Sequence, residues 1–135
     1  MAKNKIFFDA NVVLDIVDSR RRDNKQALLL WEYATIHEYE IYISEDILTN
    51  VFYIAKEKTK VLEFFKLIQD RWKIVSFGKM VIKNSVDLSS KHDLDLEDVL
   101  QCLCAKENAC EVLITNDKKF YDCGIKTMTT KEFLL

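Results

Sequence analysis

At 135 residues, with 49% hydrophobic, 31% charged and 11% aromatic side chains, the chain has the makeup of one domain that buries its own core, which excludes both a disordered segment and a scaffold needing a metal or disulfide to fold. A formal net charge of −2 excludes the basic footprint of most duplex-DNA binders, so a nucleic-acid partner would be met by a local patch, a metal or a second subunit. Two glycines and no proline punctuate the chain, so its elements must end on caps and charge rather than on breakers.

Lys3, Asn4 and Lys5 interrupt any apolar leader, and no stretch reaches the length of a membrane span, which points to a soluble, intracellular protein. Ile6, Phe7 and Phe8 form a β-favouring run that stops at Asp9, and an amphipathic pattern from Val12 to Val17 takes over: a buried strand handing over to a helix, with a carboxylate at the joint. DSRRRD, 18–23, is too charged for a core and reads as a loop. Ala27, Leu28, Leu30, Trp31 and Ala34 give the apolar face of a helix from Asn24 to about Glu38. EIYI, 40–43, is a second strand, after which Ser44 caps a helix burying Ile47, Leu48, Val51, Phe52 and Ile54. The next helix starts at Thr59 and is apolar nearly all round at Val61, Leu62, Phe64, Phe65, Leu67 and Ile68, so it should pack on two sides. WKIVSF, 72–77, is a third strand, turned at Gly78, and a weaker helix over 80–91 uses Val81, Ile82, Val86 and Leu88. The segment from His92 starts acidic and becomes apolar, as suits a helix beginning near Asp95 with a negative first turn. EVLIT, 111–115, is a fourth strand and 125–128 a candidate fifth. Strands alternating with helices predict a single α/β domain over 1–135, a three-layer α/β/α sandwich around a mostly parallel sheet of four or five strands.

In such a sheet the carboxyl ends of the strands and the helix starts that follow them share one edge. Asp9 closes the first strand, Asp117 stands two residues past EVLIT, and Asp98 lies in the first turns of the helix near Asp95, so the three can meet there. Three carboxylates in one crevice repel unless a cation neutralises them, and hard oxygen ligands without cysteine or histidine suit Mg²⁺ or Mn²⁺. Such an ion can activate water for in-line attack on a phosphodiester. Taken singly, Asp9, Asp95 and Asp117 are equally placed to be plain helix caps. Asp15, Asp18, Asp23, Asp46, Asp70, Asp87 and Asp122 read as solvated surface, and Trp31, Trp72 and the eight phenylalanines as core rather than base-stacking platforms. His37, in a helix amid charges, and His92, in a solvated loop, have no nucleophile to serve. Cys102, Cys104, Cys110 and Cys123 match no zinc spacing, and the first two point about 200° apart on a helix. All four read as buried, reduced thiols of a cytosolic protein.

These stretches resemble a PIN domain, the ribonuclease fold of the VapC-type toxins. FFDANVVLDI is similar to the family's opening aspartate motif, LEDVLQCLCA to its central acidic helix and LITNDKKF to its final strand with an aspartate, in that order and across nearly the whole chain. The resemblance implies that Asp9, Asp98 and Asp117 hold Mg²⁺ or Mn²⁺, with Asn11 and Thr115 orienting them. It implies a cytoplasmic, homodimeric ribonuclease acting on RNA as the toxin of a type II toxin–antitoxin pair, held in check by an antitoxin protein. Phosphate contacts would come from DSRRRD and from the DKK at 117–119. There is one departure. The family usually carries a glutamate on the helix after the second strand, about six residues past a serine like Ser44, and here that position is Asn50, whose amide can bind a metal-bound water or a phosphate oxygen but brings no charge. Similar asparagine-bearing sequences occur in one PIN branch. Glu97 could restore an acid, although it points about 100° away from Asp98 and a surface or helix-dipole role is the simpler reading. Two other functions stay open: a PIN-like binding scaffold whose acidic site has decayed, and a phosphotransfer domain. Asn11 argues against the latter in its haloacid-dehalogenase form, which needs a second acid at that position.

Overall fold

The apolar run that opens the chain becomes the middle of a sheet. In the computed structural model, which describes residues 4–135 and so leaves Lys3 of the interrupted leader outside, β1 (Lys5–Phe8) lies between β2 (Glu40–Ser44) and β4 (Val112–Ile114). With β3 (Lys73–Val75) and β5 (Lys126–Met128) at the edges, the order is β3-β2-β1-β4-β5 and every pair is parallel. Ile6, Phe7 and Phe8 are all buried, as a central strand covered on both faces demands.

Two helices, α1 (Ala10–Val17) and α2 (Asn24–Ile36), cross from β1 to β2, and α3 (Glu45–Ile54) and α4 (Lys58–Ile68) cross from β2 to β3. The return from β3 to β4 uses α5 (Lys79–His92) and α6 (Leu96–Glu107). Right-handed crossovers that run in opposite directions place the two sets on opposite faces, which makes the three-layer sandwich. The direction reverses between β1 and β4, the place where open α/β sheets bind ligands. A last helix, α7 (Thr130–Leu134), was not expected, although its signal is in the sequence: Thr129 and Glu132 form a reciprocal capping box.

The lack of breakers is solved by left-handed residues. Glu38 and Ala109 have φ of 58° and 57°, and each sits in a turn with two backbone hydrogen bonds that close α2 and α6 in Schellman fashion, Tyr39 N–H to Ala34 O and Cys110 N–H to Ala105 O being the outer ones. Asp93, at 52°, ends α5. β2 and β4 start directly after the two Schellman turns, so these turns aim both central neighbours of β1.

Trp72 is buried and meets Phe8, Trp31 and Phe64 edge-on at centroid distances of 5.4, 5.8 and 5.6 Å, so both tryptophans are core. Phe52 departs from that reading and is exposed, as is Ile54, because the buried face of α3 is set by Ile47 and Val51, four residues apart. On α4 only Val61 and Ile68 are buried, while Leu62 and Leu67 face outwards; the helix packs on one side against α3 and α1. On α5, Ile82 and Val86 are likewise exposed, and Val81 and Ser85 face α6. His37 caps the end of α2 against Tyr33, and His92 is the exposed last residue of α5 rather than part of a loop.

Two expectations about polar residues fail. Asp15 is buried: the 18–23 loop folds back over α1, so that Arg21 reaches Asp15 Oδ1 at 2.7 Å and Asn24 Nδ2 donates to the Asp15 carbonyl at 2.7 Å. Cys102 and Cys123 are not thiols but a disulfide, with Cα atoms 6.2 Å apart, joining α6 to the helix-free connection between β4 and β5. The helical argument that Cys102 and Cys104 diverge is sound, and it is what leaves Cys102 free to face that connection. Cys104 and Cys110 are free and buried, and burial pushes both thiols up to about 12. No described helix is long and apolar enough to cross a membrane.

Candidate active site

Asp9 is fixed by the strand pair that the reversal creates. Its N–H donates to Ile114 O of β4 at 3.1 Å, and its carboxyl is held at both oxygens, Oδ1 by Ala10 N–H at 2.8 Å and Oδ2 by the Thr115 hydroxyl at 2.9 Å. Capping α1 and facing β4 are therefore one arrangement rather than rival roles. Thr115 Oγ1 also accepts the Asp117 N–H at 3.2 Å, so one buried hydroxyl ties the ends of both strands together. Asp117 itself is exposed and caps no helix; its Oδ1 accepts the Lys119 N–H at 2.9 Å in a turn. Asp95 is a true cap, accepting the Asp98 N–H at 3.2 Å, which presents Asp98 in the first turn of α6.

The charges of these groups meet. Burial raises the Asp9 carboxyl above the usual range against the lowering hydrogen bonds of Thr115 and Ala10, and Asp117 adds to the rise. Asp98 is pushed up to about 7, first by burial and then by the carboxylates of Asp95, Asp9, Asp117 and Glu97. Glu97 is raised too, by burial and then by Asp46, Asp9 and Asp95. Asp9, Asp98 and Asp117 thus lie within reach of one another's charge at the reversal, with Glu97 beside them.

The remaining expected residues fall as follows. Asn11 is exposed in the first turn of α1. Asn50 Nδ2 donates to Asp46 Oδ2 and to Glu97 Oε1, each at 3.1 Å, linking α3 to α6. Asp46 is therefore not free surface, and the Gln101 amide also donates to its Oδ2, at 3.3 Å. Sequence reasoning missed Asp46 and Gln101; the available signal was the four-residue spacing that puts Asp46 with Asn50, and Glu97 with Gln101, on one helix face each. DSRRRD is not near the crevice. It lies at the far end of α1, about 12 Å from Asp9 along an eight-residue helix, and its arginines pair with Asp18, Asp15 and Asp23. Lys118 and Lys119 are exposed next to Asp117 and, among the described residues, enter no ion pair.

Among the described residues no lysine or arginine pairs with Asp9, Asp46, Glu97, Asp98 or Asp117, and no histidine or cysteine joins them. Among the described residues no three acids stand close enough to clasp one ion as they are placed. The donor set, all oxygen and short of positive charge, fits a hard divalent cation.

A protein-family model described as PIN domain matches residues 6–126. The chain belongs to the PIN domain family. This PIN domain is 34% identical over 137 residues to Ribonuclease VapC1 of Aquifex aeolicus, covering 98% of the chain and 95% of that protein. Its fold is similar to that of VapC20 of Mycobacterium tuberculosis, a sarcin–ricin-loop-cleaving toxin, with a TM-score of 0.75 at 10% identity over 89% of this chain and 95% of that one. A toxin–antitoxin complex from Klebsiella pneumoniae holds a chain of TM-score 0.68 and 26% identity, matched over 93% of this chain and 97% of that one. This PIN domain is a homologue of the VapC-type toxin ribonucleases, and the phosphotransfer alternatives fall away.

Proposed function

We propose that this PIN domain is a divalent-metal-dependent endoribonuclease and the toxin of a type II toxin–antitoxin pair, with Asp9, Asp98 and Asp117 as the metal-holding and catalytic acids. The observation that carries this is the Thr115 bridge between Asp9 and the start of the Asp117 turn, with Asp98 brought into their field by α6. Mg²⁺ or Mn²⁺, when bound, would neutralise the scissile phosphate and make water a stronger nucleophile. The chain's own contribution is orientation. Thr115 holds one oxygen of Asp9 and Ala10 the other, Asp95 seats Asp98 at the helix start, and Lys118 and Lys119 offer charge to an RNA phosphate beside Asp117. Asn11, exposed in the first turn of α1 two residues past Asp9, would meet bound solvent or phosphate.

RNA as substrate, an antitoxin partner and a homodimeric, cytoplasmic state are inferred from the likeness to VapC proteins; the cysteines no longer speak for a reducing compartment. Asp9→Asn or Asp98→Asn should abolish Mn²⁺-dependent RNA cleavage with the fold intact. Undiminished cleavage in both would falsify the assignment. Asn50 keeps one rival alive, a scaffold with a decayed site, and calorimetry separates the two: a scaffold takes up no Mn²⁺ and gains no thermal protection from it.

A further inference from the structure

The helix start of α6 carries an acid that the three-aspartate reading does not use. Glu97 sits in the first turn, where an exposed glutamate can favour the helix dipole with no partner at all. Here it has one, at the end of an ordered chain. Ser44, fully buried at the end of β2, donates its hydroxyl to Gln101 Oε1 at 2.8 Å. The Asp46 carboxylate can only accept, so Gln101 Nε2 is turned to its Oδ2 and Oε1 is left to take the Ser44 hydrogen. The same Asp46 oxygen takes one hydrogen of Asn50 Nδ2, leaving the other for Glu97 Oε1. Flipping the Asn50 amide would set its oxygen against two carboxylates, so its orientation is fixed as well. Four side chains from a buried strand end outwards thus hold one carboxylate at the rim of a crevice that already contains Asp9 and Asp98.

We propose that Glu97 is a fourth carboxylate of the metal-binding crevice and that Asn50 is its positioning residue, anchored through Asp46, Gln101 and Ser44. On this view α3 supplies the site with an amide that steers an acid of α6. The assignment rests on the metal-dependent reading of the crevice and goes beyond it in naming the fourth acid and its support.

Isothermal calorimetry with Mn²⁺ tests it on the folded, metal-stripped protein. Glu97→Gln should weaken Mn²⁺ binding about tenfold, and Asn50→Leu, which removes both donors at similar volume, should weaken it several-fold, the range seen when groups that orient metal ligands are lost. The double variant should bind no more weakly than Glu97→Gln alone, since Asn50 acts through Glu97. Glu97→Asp keeps the charge but cannot reach Asn50 from the same backbone, and its affinity should fall between the wild type and Glu97→Gln. Affinity within twofold of wild type in both Glu97 variants, with melting temperatures unchanged, overturns the assignment, as do fully additive effects in the double variant. If the wild-type chain itself takes up no Mn²⁺ while Asp98→Asn behaves identically, the metal reading falls and this assignment falls with it. Wild-type uptake with an indifferent Glu97 sinks the fourth acid alone.

Discussion

Replacing Asp98 by asparagine should make the metal-free protein more stable and at the same time useless as a metal binder. The carboxyl of Asp98 is pushed from 3.8 up to about 7, so in the folded state it holds its proton more tightly than in the unfolded chain. Stability is then greatest below the unfolded value and is lost as pH rises through about 7, where the group must ionise among burial and four like charges. A shift of roughly three units would correspond to about 4 kcal/mol in a fully buried site, and the partial exposure of Asp98 reduces this to about 1–2 kcal/mol. For a domain of this size that is about 3–7 °C in melting temperature. The assay is thermal unfolding followed by circular dichroism in chelator, at about pH 8 and about pH 5. Asp98→Asn should melt higher than wild type at the first pH by the full amount and at the second by less than half of it, because the lower pH lies only part of the way from the unfolded value of 3.8 to the folded value of about 7. Adding Mn²⁺ should raise the wild type and leave the variant unmoved. A variant no more stable than wild type at the higher pH, or one whose advantage is undiminished at the lower, would refute the electrostatic account of this crevice.

Other outcomes follow from single contacts. Ala109→Gly should stabilise by about 1 kcal/mol in urea unfolding, because glycine adopts the left-handed turn after α6 without the Cβ penalty. Arg21→Ala should cost about 1–3 kcal/mol in the same measurement, since it leaves the buried Asp15 charge unpaired and frees the 18–23 loop. Thr115→Val, nearly isosteric, should cost about 1–2 kcal/mol by leaving an Asp9 oxygen without its donor, and Mn²⁺ calorimetry should show weaker binding through the misoriented carboxylate.

The sheet and its helices were legible because the strands are short apolar runs and their order alternates with helices; the abrupt stop of Ile6–Phe8 at Asp9 located the central strand and the site edge together. Helix faces were less legible. On α3, α4 and α5 there are more apolar residues than the core can take, so periodicity named too many of them, and Phe52, Leu62 and Ile82 are exposed. Asp15 was misplaced because its burial depends on a loop returning over its helix. That Asp9, Asp98 and Asp117 belong to one edge of the sheet followed from topology. Asp46 did not, because its position depends on Gln101, 55 residues away on the other side of the sheet. The disulfide escaped for the same reason: it is a meeting of two segments, and nothing in either announces the other.

That bond has a mechanical meaning for the crevice. Cys102 follows Asp98 by four residues on α6 and so lies on the same side of the helix, one turn along. Its partner, Cys123, belongs to the connection that carries Asp117, the one crossover of this sheet that no helix stiffens. Lys106, a further turn along, also grips this segment by donating to the Cys123 carbonyl at 3.2 Å. The covalent link therefore works as a splint: it ties the strand of chain bearing one acid to the rod bearing another, so that the gap between them is set by α6 rather than by the wandering of a loop.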